Sequence, residues 1–237
     1  MRALAIVHQR DAGPGAFAEA FSAEGVEVDH WYRAESDEPP HELGDYGAVL
    51  TFGGAMHADQ EDEHAWISDE KALLAELLES GMPLLGVCLG SQLLAAAAGG
   101  DVRRAREPEI GWYEVEVTAE GADDPLIAPL APRFEAFEWH SYEFALPPGA
   151  IALAHTPSCL QAYRIGPAAW GIQFHAEVSA ADAEGWIHDY HSDEDAVRIE
   201  LDSEALRAQT QERIGAWNEL GQALCGRFLA VAAVRAA

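Results

Sequence analysis

The sequence predicts an α/β fold with a mainly parallel sheet, flanking helices and a C-terminal helical tail. Strand-like and helix-like segments alternate over residues 3–98, which is the pattern of a parallel sheet with helices on both faces. Apolar residues make up 49% of the 237-residue chain, enough to bury a sizeable core. From about residue 180 onward the chain turns polar and then helical.

Each predicted element of the amino-terminal part rests on a local pattern. Short runs of Ala, Val, Ile and Leu indicate strands, and runs with three-to-four spacing that end at Gly indicate helices. The helix at 68–81 has the most signals, because Ser68 can cap it, acidic residues follow in its first turn and Gly81 closes it. The predicted elements are strand 3–8, helix 15–25, strand 26–32, strand 48–54, helix 68–81, strand 84–88 and helix 89–98.

Strands dominate from residue 102 onward, and a helix follows them. No internal repeat or long linker divides the chain, so we expect a domain at 1–180 and a helical C-terminal extension at 181–237 packed on the same domain. Aromatic and β-branched residues between Pro and Gly turns predict strands at 113–118, 134–144, 151–156, 159–166 and 169–177. The apolar face of the tail helix carries Ile214, Trp217, Leu220, Leu224, Phe228 and Val231.

The charge of the chain is strongly lopsided. It has 41 acidic and 14 basic residues, a formal net charge of −27. Such a surface repels phosphate groups, so we expect no nucleic acid partner and no binding to anionic membranes. A salt-adapted proteome and a GC-rich genome both account for this composition, and the sequence leaves the two explanations open.

Cysteine usage and apolar runs indicate a cytoplasmic protein. The three cysteines are widely spaced and odd in number, which fits a reducing compartment rather than a disulfide framework. The N-terminus, MRALAIVHQR, is typical of a first strand rather than of a signal peptide. The longest apolar run, at 82–100, is interrupted by Pro83 and by glycines and is too broken to span a bilayer.

The stretch GVCLGSQ, at 86–92, places Cys88 between a strand and a helix. Gly86 and Gly90 flank it in a G-x-C-x-G pattern, the thiol counterpart of the G-x-S-x-G nucleophile elbow. Such a sharp turn needs a strained backbone at the nucleophile and leaves no room for a Cβ two residues before or after it. The N–H groups of the helix that starts at Leu89 favour a thiolate and can bind an oxyanion. The alternative is a small buried cysteine in a packed strand.

A base for this nucleophile is available in GIQFHAE, at 171–177. His175 and Glu177 lie two positions apart, so on an extended segment both project to the same side. A carboxylate beside an imidazole fixes its tautomer and stabilises the imidazolium. Cys88, His175 and Glu177 would then be nucleophile, base and orienter. Taken alone, His175 also fits a hydrogen-bonded histidine at a strand end.

These segments together resemble the class I glutamine amidotransferase family, whose signatures are G-x-C-x-G-x-Q and a later F-H-x-E. The segment TFGGAM, at 51–56, is similar to the family's oxyanion loop after the third strand. Segments at 109–118, 137–144 and 161–177 resemble stand-alone members related to the amidotransferase domain of GMP synthase. The resemblance covers about residues 1–180 and implies a flavodoxin-like, doubly wound fold.

The resemblance implies hydrolysis of the glutamine side-chain amide through a thioester on Cys88, with release of ammonia to an acceptor. The triad partners would be His175 and Glu177, and the backbone N–H groups of Gly54 and Leu89 would form the oxyanion hole. Neither a cofactor nor a metal is implied. For His140, packing on a half-buried strand is the alternative role. The implied substrate-binding residues are Gly53, Gln92, His140, Ser141 and Tyr142.

The chain departs from the family pattern at two positions. Ala176 stands where the family commonly has proline between the histidine and the glutamate, which loosens the turn but removes no catalytic group. Tyr142 stands where near relatives often have aspartate. The second difference leaves open whether glutamine is the natural substrate.

Two histidine-rich acidic segments could bind a metal, but both are better explained as polar loops. The segment HADQEDEHAW, at 57–66, lacks the ligand spacing of a closed zinc site, and its position after Gly54 would let it cover the active site. The segment HDYHSDED, at 188–195, offers His188 and His191 but fits a loop between helices. We therefore predict no metal.

Three functions remain open on these patterns. The first is a glutamine amidotransferase that supplies ammonia to a separate synthetase subunit, because the chain has no P-loop motif. The second is a hydrolase of another γ-glutamyl amide, such as a γ-glutamyl polyamine, that acts alone. The third is a binding or regulatory subunit, which the intact Cys88, His175 and Glu177 disfavour. The exposed part of the tail could also form a homodimer contact.

Overall fold

The computed structural model describes residues 1–236 as nine strands in one sheet and seven helices, with three short 3-10 turns between them. The elements are β1 (Arg2–Val7), α1 (Phe17–Ala23), β2 (Glu27–Tyr32), β3 (Ala48–Thr51), α2 (Trp66–Ser80), β4 (Leu84–Val87), α3 (Leu89–Ala97), β5 (Val102–Val117), α4 (Ala119–Ala122), β6 (Arg133–Phe144), β7 (Ile151–His155), β8 (Leu160–Ile165), β9 (Ala169–Ile172), α5 (Ala180–His188), α6 (Glu194–Arg198) and α7 (Ser203–Ala236).

The sheet has a parallel part and an antiparallel part. Its strand order is β2-β1-β3-β4-β9-β8-β7-β5-β6. The strands from β2 to β9 in this order are parallel, and the pairs from β9 to β6 are antiparallel. Parallel neighbours need long crossovers, and helices α1 and α2 provide them. The predicted α/β class with a mainly parallel sheet and flanking helices is confirmed.

Alternation along β1 sends its side chains to two separate cores. Ala3, Ala5 and Val7 join a cluster that includes residues of α1 and α7. Leu4 and Ile6 join a second cluster with residues of α2 and α3. Successive strand residues point to opposite faces, so a strand that is apolar throughout can be covered on both faces. The apolar runs of the amino-terminal half therefore form the centre of the molecule.

The carboxyl ends of four neighbouring parallel strands meet at one edge of the sheet. His8 directly follows β1, the loop 52–54 follows β3, Cys88 follows β4, and the turn 173–177 follows β9. In open α/β sheets, ligands bind in the crevice outside these ends. The topology thus brings together residues that are separated by more than eighty positions in the sequence.

The start of helix α2 differs from its predicted position. Helix α2 begins at Trp66 after Ala65, so Ser68 lies inside the helix and does not cap it. The helix begins earlier because Ile67 is fully buried and the Trp66 ring stacks on His8. At the other end the prediction is confirmed, since Gly81 has φ 75° and its N–H bonds to carbonyls of the last turn.

Strands β5 and β9 also differ from their predicted ranges. Strand β5 begins at Val102, whereas the sequence pattern indicates a strand only from residue 113. Its first half is charged and pairs with β6 across an irregularity between Arg104 and Glu109. Strand β9 ends at Ile172, before the predicted end at 177.

The predicted extension at 181–237 contains α5, a 3-10 turn, α6 and the long helix α7, which packs against α1, α5 and β5. Trp217, Leu224 and Phe228 are buried in the same cluster as the inner residues of β1. The domain boundary at residue 180 stays a prediction. Among residues 1–236, the structure contains no helix with the length and apolarity that a membrane span requires.

Candidate active site

Cys88 lies at a strained turn between β4 and α3. Its backbone has φ 50° and ψ −111°, a conformation that non-glycine residues rarely adopt. Hydrogen bonds hold it there, because the Cys88 N–H donates to the Ile172 carbonyl at 2.9 Å and the Ser91 hydroxyl donates to the Cys88 carbonyl at 2.7 Å. The side chain faces the edge of the sheet where the parallel strands end.

The two glycines of the elbow are required by close backbone approach. A Cβ on Gly86 would lie 2.7 Å from the Gly90 carbonyl oxygen, and a Cβ on Gly90 would lie 2.1 Å from the Thr51 carbonyl oxygen. Both distances are far below van der Waals contact, so only glycine fits. The G-x-C-x-G pattern therefore has the steric origin that the sequence predicts.

His175 and Glu177 form a buried ion pair next to Cys88. The Nδ1 atom of His175 lies 2.7 Å from Oε1 of Glu177. Burial by itself lowers the pKa of His175, but the Glu177 carboxylate and the Cys88 sulfur outweigh burial and hold that pKa well above its ordinary value. Within the described residues, Nε2 of His175 has no hydrogen-bond partner, which leaves this atom free to exchange a proton.

The His–Glu pair lies in a turn beyond β9, not on the extended segment that the sequence predicts. The His175 N–H donates to the Phe137 carbonyl at 2.9 Å. The indole N–H of Trp217, on α7, donates to the His175 carbonyl at 2.8 Å. The two side chains meet because this turn is held from both sides, rather than through strand alternation.

The loop after β3 lies against the nucleophile and the imidazole. A Cβ on Gly53 would lie 3.1 Å from Cε1 of His175 and 3.7 Å from the Cβ of Cys88. Gly54 and Leu89 both line the cavity that contains Cys88. Leu89 is the first residue of α3, so its N–H has no acceptor within the helix. Both predicted oxyanion residues thus border the space where a substrate carbonyl would lie.

The predicted substrate segment of β6 is fixed from behind. The Gln92 amide donates to the Tyr142 carbonyl at 3.3 Å and to Oε1 of Gln173 at 3.2 Å. Ser141 and Tyr142 line the cavity, and the Tyr142 hydroxyl donates to Asp59 at 3.2 Å. Gln92 therefore holds this segment in place.

His140 has both ring nitrogens occupied by oxygen acceptors. Its Nδ1 lies 3.0 Å from the Tyr142 carbonyl oxygen, and its Nε2 lies 3.2 Å from Glu109 and 3.4 Å from Glu138. Burial lowers the pKa of His140, but hydrogen bonds to the two glutamates raise it to about 10. His140 is thus a buried imidazolium that holds the Tyr142 carbonyl near the cavity that it helps to line.

One group of side chains has donor atoms close enough for a metal. Within residues 1–236, that group is Glu109, His140 and Cys159, whose ligand atoms lie within 4.8 Å of one another. The same atoms hydrogen-bond among themselves, because Oε2 of Glu109 accepts from His140 and, at 3.4 Å, from the Cys159 thiol. Gln161 adds a third hydrogen bond to that oxygen at 2.7 Å.

The two histidine-rich segments have other roles in the fold. The segment 57–66 forms turns before α2, and its His57 ring stacks on Tyr142 at 4.2 Å, so it covers one side of the cavity as predicted. The segment 188–195 is not a plain loop, because it contains a 3-10 turn at Tyr190–Ser192 and the start of α6.

The cavity at this edge has a volume of about 580 Å³. Its floor carries the predicted nucleophile, base and oxyanion residues, and one wall is formed by the end of α5 and the segment after it. Gly53 and Glu177 lie behind the floor, against His175. The predicted site residues that line the cavity are Gly54, Cys88, Leu89, Gln92, His140, Ser141, Tyr142 and His175.

The cavity wall contains side-chain contacts that the sequence patterns do not predict, including those of Trp139, which the sequence places in the predicted substrate segment 139–142. The indole of Trp139 donates to Asp193 at 2.8 Å, and Trp186 packs edge-on against the His175 ring at 4.8 Å. Arg104 binds Asp195 at 2.6 Å. Each of these pairs joins β5, β6 or the turn after β9 to the segment that begins with α5, and no local pattern predicts such contacts. The only sequence signal for these contacts is Arg104, a charged residue in the first half of β5.

Comparison with known proteins agrees with this geometry. The model of the family described as glutamine amidotransferase class-I matches residues 16–188. A glutamine amidotransferase structure from Thermotoga maritima superposes with a TM-score of 0.86 at 29% identity, over 96% of this chain and 97% of that one.

Two curated relatives carry names of specific enzymes. A glutamine-hydrolyzing GMP synthase subunit of Ignicoccus hospitalis is 35% identical, over 59% of this chain and 71% of the relative. A gamma-glutamyl-L-1-hydroxyisopropylamide hydrolase of a Pseudomonas species is 32% identical over 62% of this chain, which spans 52% of that relative's length. The family match covers most of the chain and includes the residues around Cys88 and His175. The chain is therefore an enzyme that belongs to the class I glutamine amidotransferase family.

Proposed function

We propose that the chain hydrolyses the side-chain amide of glutamine through a thioester on Cys88. The observation that carries this proposal is the strained Cys88 turn beside the buried His175–Glu177 pair. A thiol that lines a cavity at such a turn, with an imidazolium against it, is an activated nucleophile. The free Nε2 of His175 is the atom that can pass a proton between the sulfur, the leaving group and water.

The reaction follows from these positions in two steps. The Cys88 sulfur attacks the amide carbon, and the N–H groups of Gly54 and Leu89 stabilise the oxyanion. His175 gives its proton to the nitrogen as the C–N bond breaks, which leaves ammonia and a γ-glutamyl thioester. His175 then takes a proton from water and the hydroxide attacks the thioester, which releases the γ-carboxyl group of glutamate and restores the Cys88 thiolate beside a protonated His175. Glu177 stabilises the imidazolium in both steps.

A second candidate substrate class is a γ-glutamyl amide with a larger amine. A cavity of about 580 Å³ falls in the range that drug-sized ligands occupy, so glutamine alone would leave part of it empty. The name of the Pseudomonas relative, which is a γ-glutamyl amide hydrolase, agrees with this class. The lining of the cavity carries five carboxylates against one guanidinium and the imidazolium groups of His140 and His175, a net negative charge that favours a cationic amine.

Delivery of ammonia to a synthetase partner belongs to the first candidate alone. The Ignicoccus relative is named as one subunit of GMP synthase, which supports a partner for a chain of this family. Hydrolysis of a larger γ-glutamyl amide would release an amine and would need no partner. The two candidates therefore differ in the nitrogen compound released: ammonia for a partner in the first, and an amine in the second.

The test is release of ammonia or amine from a substrate panel by the purified chain. The panel contains glutamine, γ-glutamylmethylamide, γ-glutamylisopropylamide and γ-glutamylputrescine. We expect Cys88→Ala to abolish release from every substrate, whereas Cys225→Ala, which changes a buried thiol on α7, should retain it. Equal rates in native protein and the Cys88→Ala variant would refute the thioester mechanism. A higher kcat/KM for the larger amides than for glutamine would select the second substrate class.

A further inference from the structure

We infer that His8, supported by Glu70, positions the Gly53–Gly54 peptide so that the Gly54 N–H points at the reacting carbonyl. His8 follows β1 and lies behind the loop 52–54, with its side chain fully buried. This role rests on the proposed function, because it assigns His8 to the oxyanion hole of that reaction. His8 would be a positioning residue, since it acts through the loop and does not touch the substrate.

The His8 ring binds the loop on one side and a carboxylate on the other. Its Nδ1 lies 3.0 Å from the Phe52 carbonyl oxygen and 3.2 Å from the Gly53 carbonyl oxygen. Its Nε2 lies 3.0 Å from each carboxylate oxygen of Glu70. Both partners of Nδ1 are carbonyl oxygens, which only accept, so Nδ1 carries a proton and donates to the loop, while Nε2 pairs with Glu70.

Peptide planarity converts this contact into a direction for the Gly54 N–H. In a trans peptide, the carbonyl of one residue and the N–H of the next point to opposite sides. With the Gly53 carbonyl turned toward His8, the Gly54 N–H must point away from His8. Gly54 lines the cavity on that other side, together with Cys88 and Leu89. The His8 bond therefore selects the orientation in which this peptide offers a donor, not an acceptor, to an oxyanion.

Glycine at positions 53 and 54 makes an external support necessary. Gly residues leave the backbone free to rotate, so this peptide has no side chain of its own to fix it. The Phe52 carbonyl is held twice, by His8 and by the Gly90 N–H at 3.0 Å. The Gly53 carbonyl has His8 as its side-chain donor.

The Glu70 carboxylate is itself anchored in the core. It is fully buried, accepts from the Thr51 hydroxyl at 2.7 Å and lies 3.6 Å from Nε of Arg33. The His8 ring also stacks on Trp66 at 4.8 Å with an interplanar angle of 12°. These contacts fix the His8 ring in a single orientation. Hydrogen bonds to a charged group are stronger than those between neutral groups.

A positioning role of this kind affects the transition state more than substrate binding. The oxyanion forms only as the sulfur attacks, so a misdirected Gly54 N–H should lower kcat and leave KM nearly unchanged. Loss of one oxyanion donor typically costs about 100-fold or more in kcat. Alkylation of Cys88 by iodoacetamide needs no oxyanion hole and should be unaffected.

The test compares variants that share one background. Glu70→Gln alone should keep the loop bond, because the Gln amide can occupy the place of the carboxylate at Nε2 of His8 while Nδ1–H still faces Gly53. Adding His8→Leu to Glu70→Gln removes the donor without leaving an unpaired buried carboxylate. We expect kcat of the double variant to fall about 100-fold below that of Glu70→Gln, with KM within about threefold and an unchanged iodoacetamide rate. Equal kcat values in the two, or an equal fall in the iodoacetamide rate, would overturn the inference.

A second pair of variants keeps the test decisive if the leucine variant does not fold. On the same Glu70→Gln background, His8→Asn places an amide donor where Nδ1 lies, whereas His8→Gln places it one bond farther out. We expect the Asn variant to retain most of the kcat and the Gln variant to lose it. Similar kcat values in both would overturn the inference.

A structural measurement separates this inference from the proposed function. If native protein hydrolyses no γ-glutamyl amide, the proposed function fails, but crystal structures of the variants still test the role of His8. We expect the Gly53–Gly54 peptide to keep its orientation in Glu70→Gln and to rotate in the double variant. An unchanged peptide in both structures would overturn the role of His8, whatever the activity.

Discussion

Replacing Gly221 of α7 with alanine tests whether the tail helix positions the His–Glu pair. A Cβ at Gly221 would lie 1.9 Å from the Ala176 carbonyl oxygen, between the two residues of the pair. Real Cβ atoms essentially never approach another atom closer than 3.0 Å, so the helix or the turn must move by about 1 Å. The turn is also tied to α7 by Trp217 and by Asn218, whose amide donates to the Val178 carbonyl at 2.6 Å.

The expected magnitude follows from that displacement. A 1 Å misplacement of a catalytic group can lower the rate about 100-fold, so we expect kcat/KM for the best γ-glutamyl substrate to fall by about that factor. Overpacking typically costs about 1–3 kcal/mol, and the helix propensity gained by alanine offsets roughly 0.5–1 kcal/mol of it. We therefore expect the free energy of unfolding to fall by about 1–2 kcal/mol in urea titrations.

Gly215 provides a matched control on the same helix. It is exposed, and a Cβ there would meet no atom within 4 Å. We expect Gly215→Ala to raise the free energy of unfolding by roughly 0.5–1 kcal/mol and to leave kcat/KM unchanged. If the Gly221 and Gly215 variants behave alike in both assays, the reasoning from the contact between α7 and the turn is refuted.

Two further predictions concern buried carboxylates. Glu177→Gln removes the carboxylate that raises the pKa of His175, so that pKa should fall in an NMR titration and kcat should drop roughly 100-fold; an unmoved His175 titration would contradict this account. Burial raises the pKa of Glu138 from 4.5 to about 6, so its contribution to stability is full below pH 4.5 and is lost as the pH rises through 6. From well below pH 4.5 to well above pH 6, Glu138→Gln should lose about 2 kcal/mol less unfolding free energy than native protein, and parallel pH profiles of the two would contradict this expectation.

Most of the amino-terminal half could be predicted from sequence because local patterns decide it. A strand buried on both faces is almost entirely apolar, and β1, β3 and β4 have this pattern apart from Arg2 and Thr51. The nucleophile turn could be predicted as well, because the close approach of Gly90 to Thr51 excludes every side chain but hydrogen. Such constraints act within a few residues or through one backbone contact, so they restrict the residue types at single positions and can be recognised in the sequence.

The errors arise where tertiary contacts override a local signal. Ser68 has the chemistry of a helix cap, but α2 begins two residues earlier, at Trp66, because Ile67 is buried. The first half of β5 is charged and lacks a strand pattern, and pairing with β6 makes it a strand. The strand after 169 ends early because the turn that holds His175 is fixed by β6 and α7.

The sequence by itself determined the α/β class and the strained turn at Cys88, and it indicated His175 and Glu177 as partners, although on an extended strand that the structure does not have. These follow from periodicity, from glycines that no other residue can replace, and from the chemistry of residue types. Only the tertiary structure decided how those groups are oriented. His8, after β1, hydrogen-bonds to the Gly53 carbonyl, and Trp217, on α7, hydrogen-bonds to the His175 carbonyl. The physical reason is that the orientation of these groups depends on hydrogen bonds between segments far apart in sequence, and no local pattern encodes such partners.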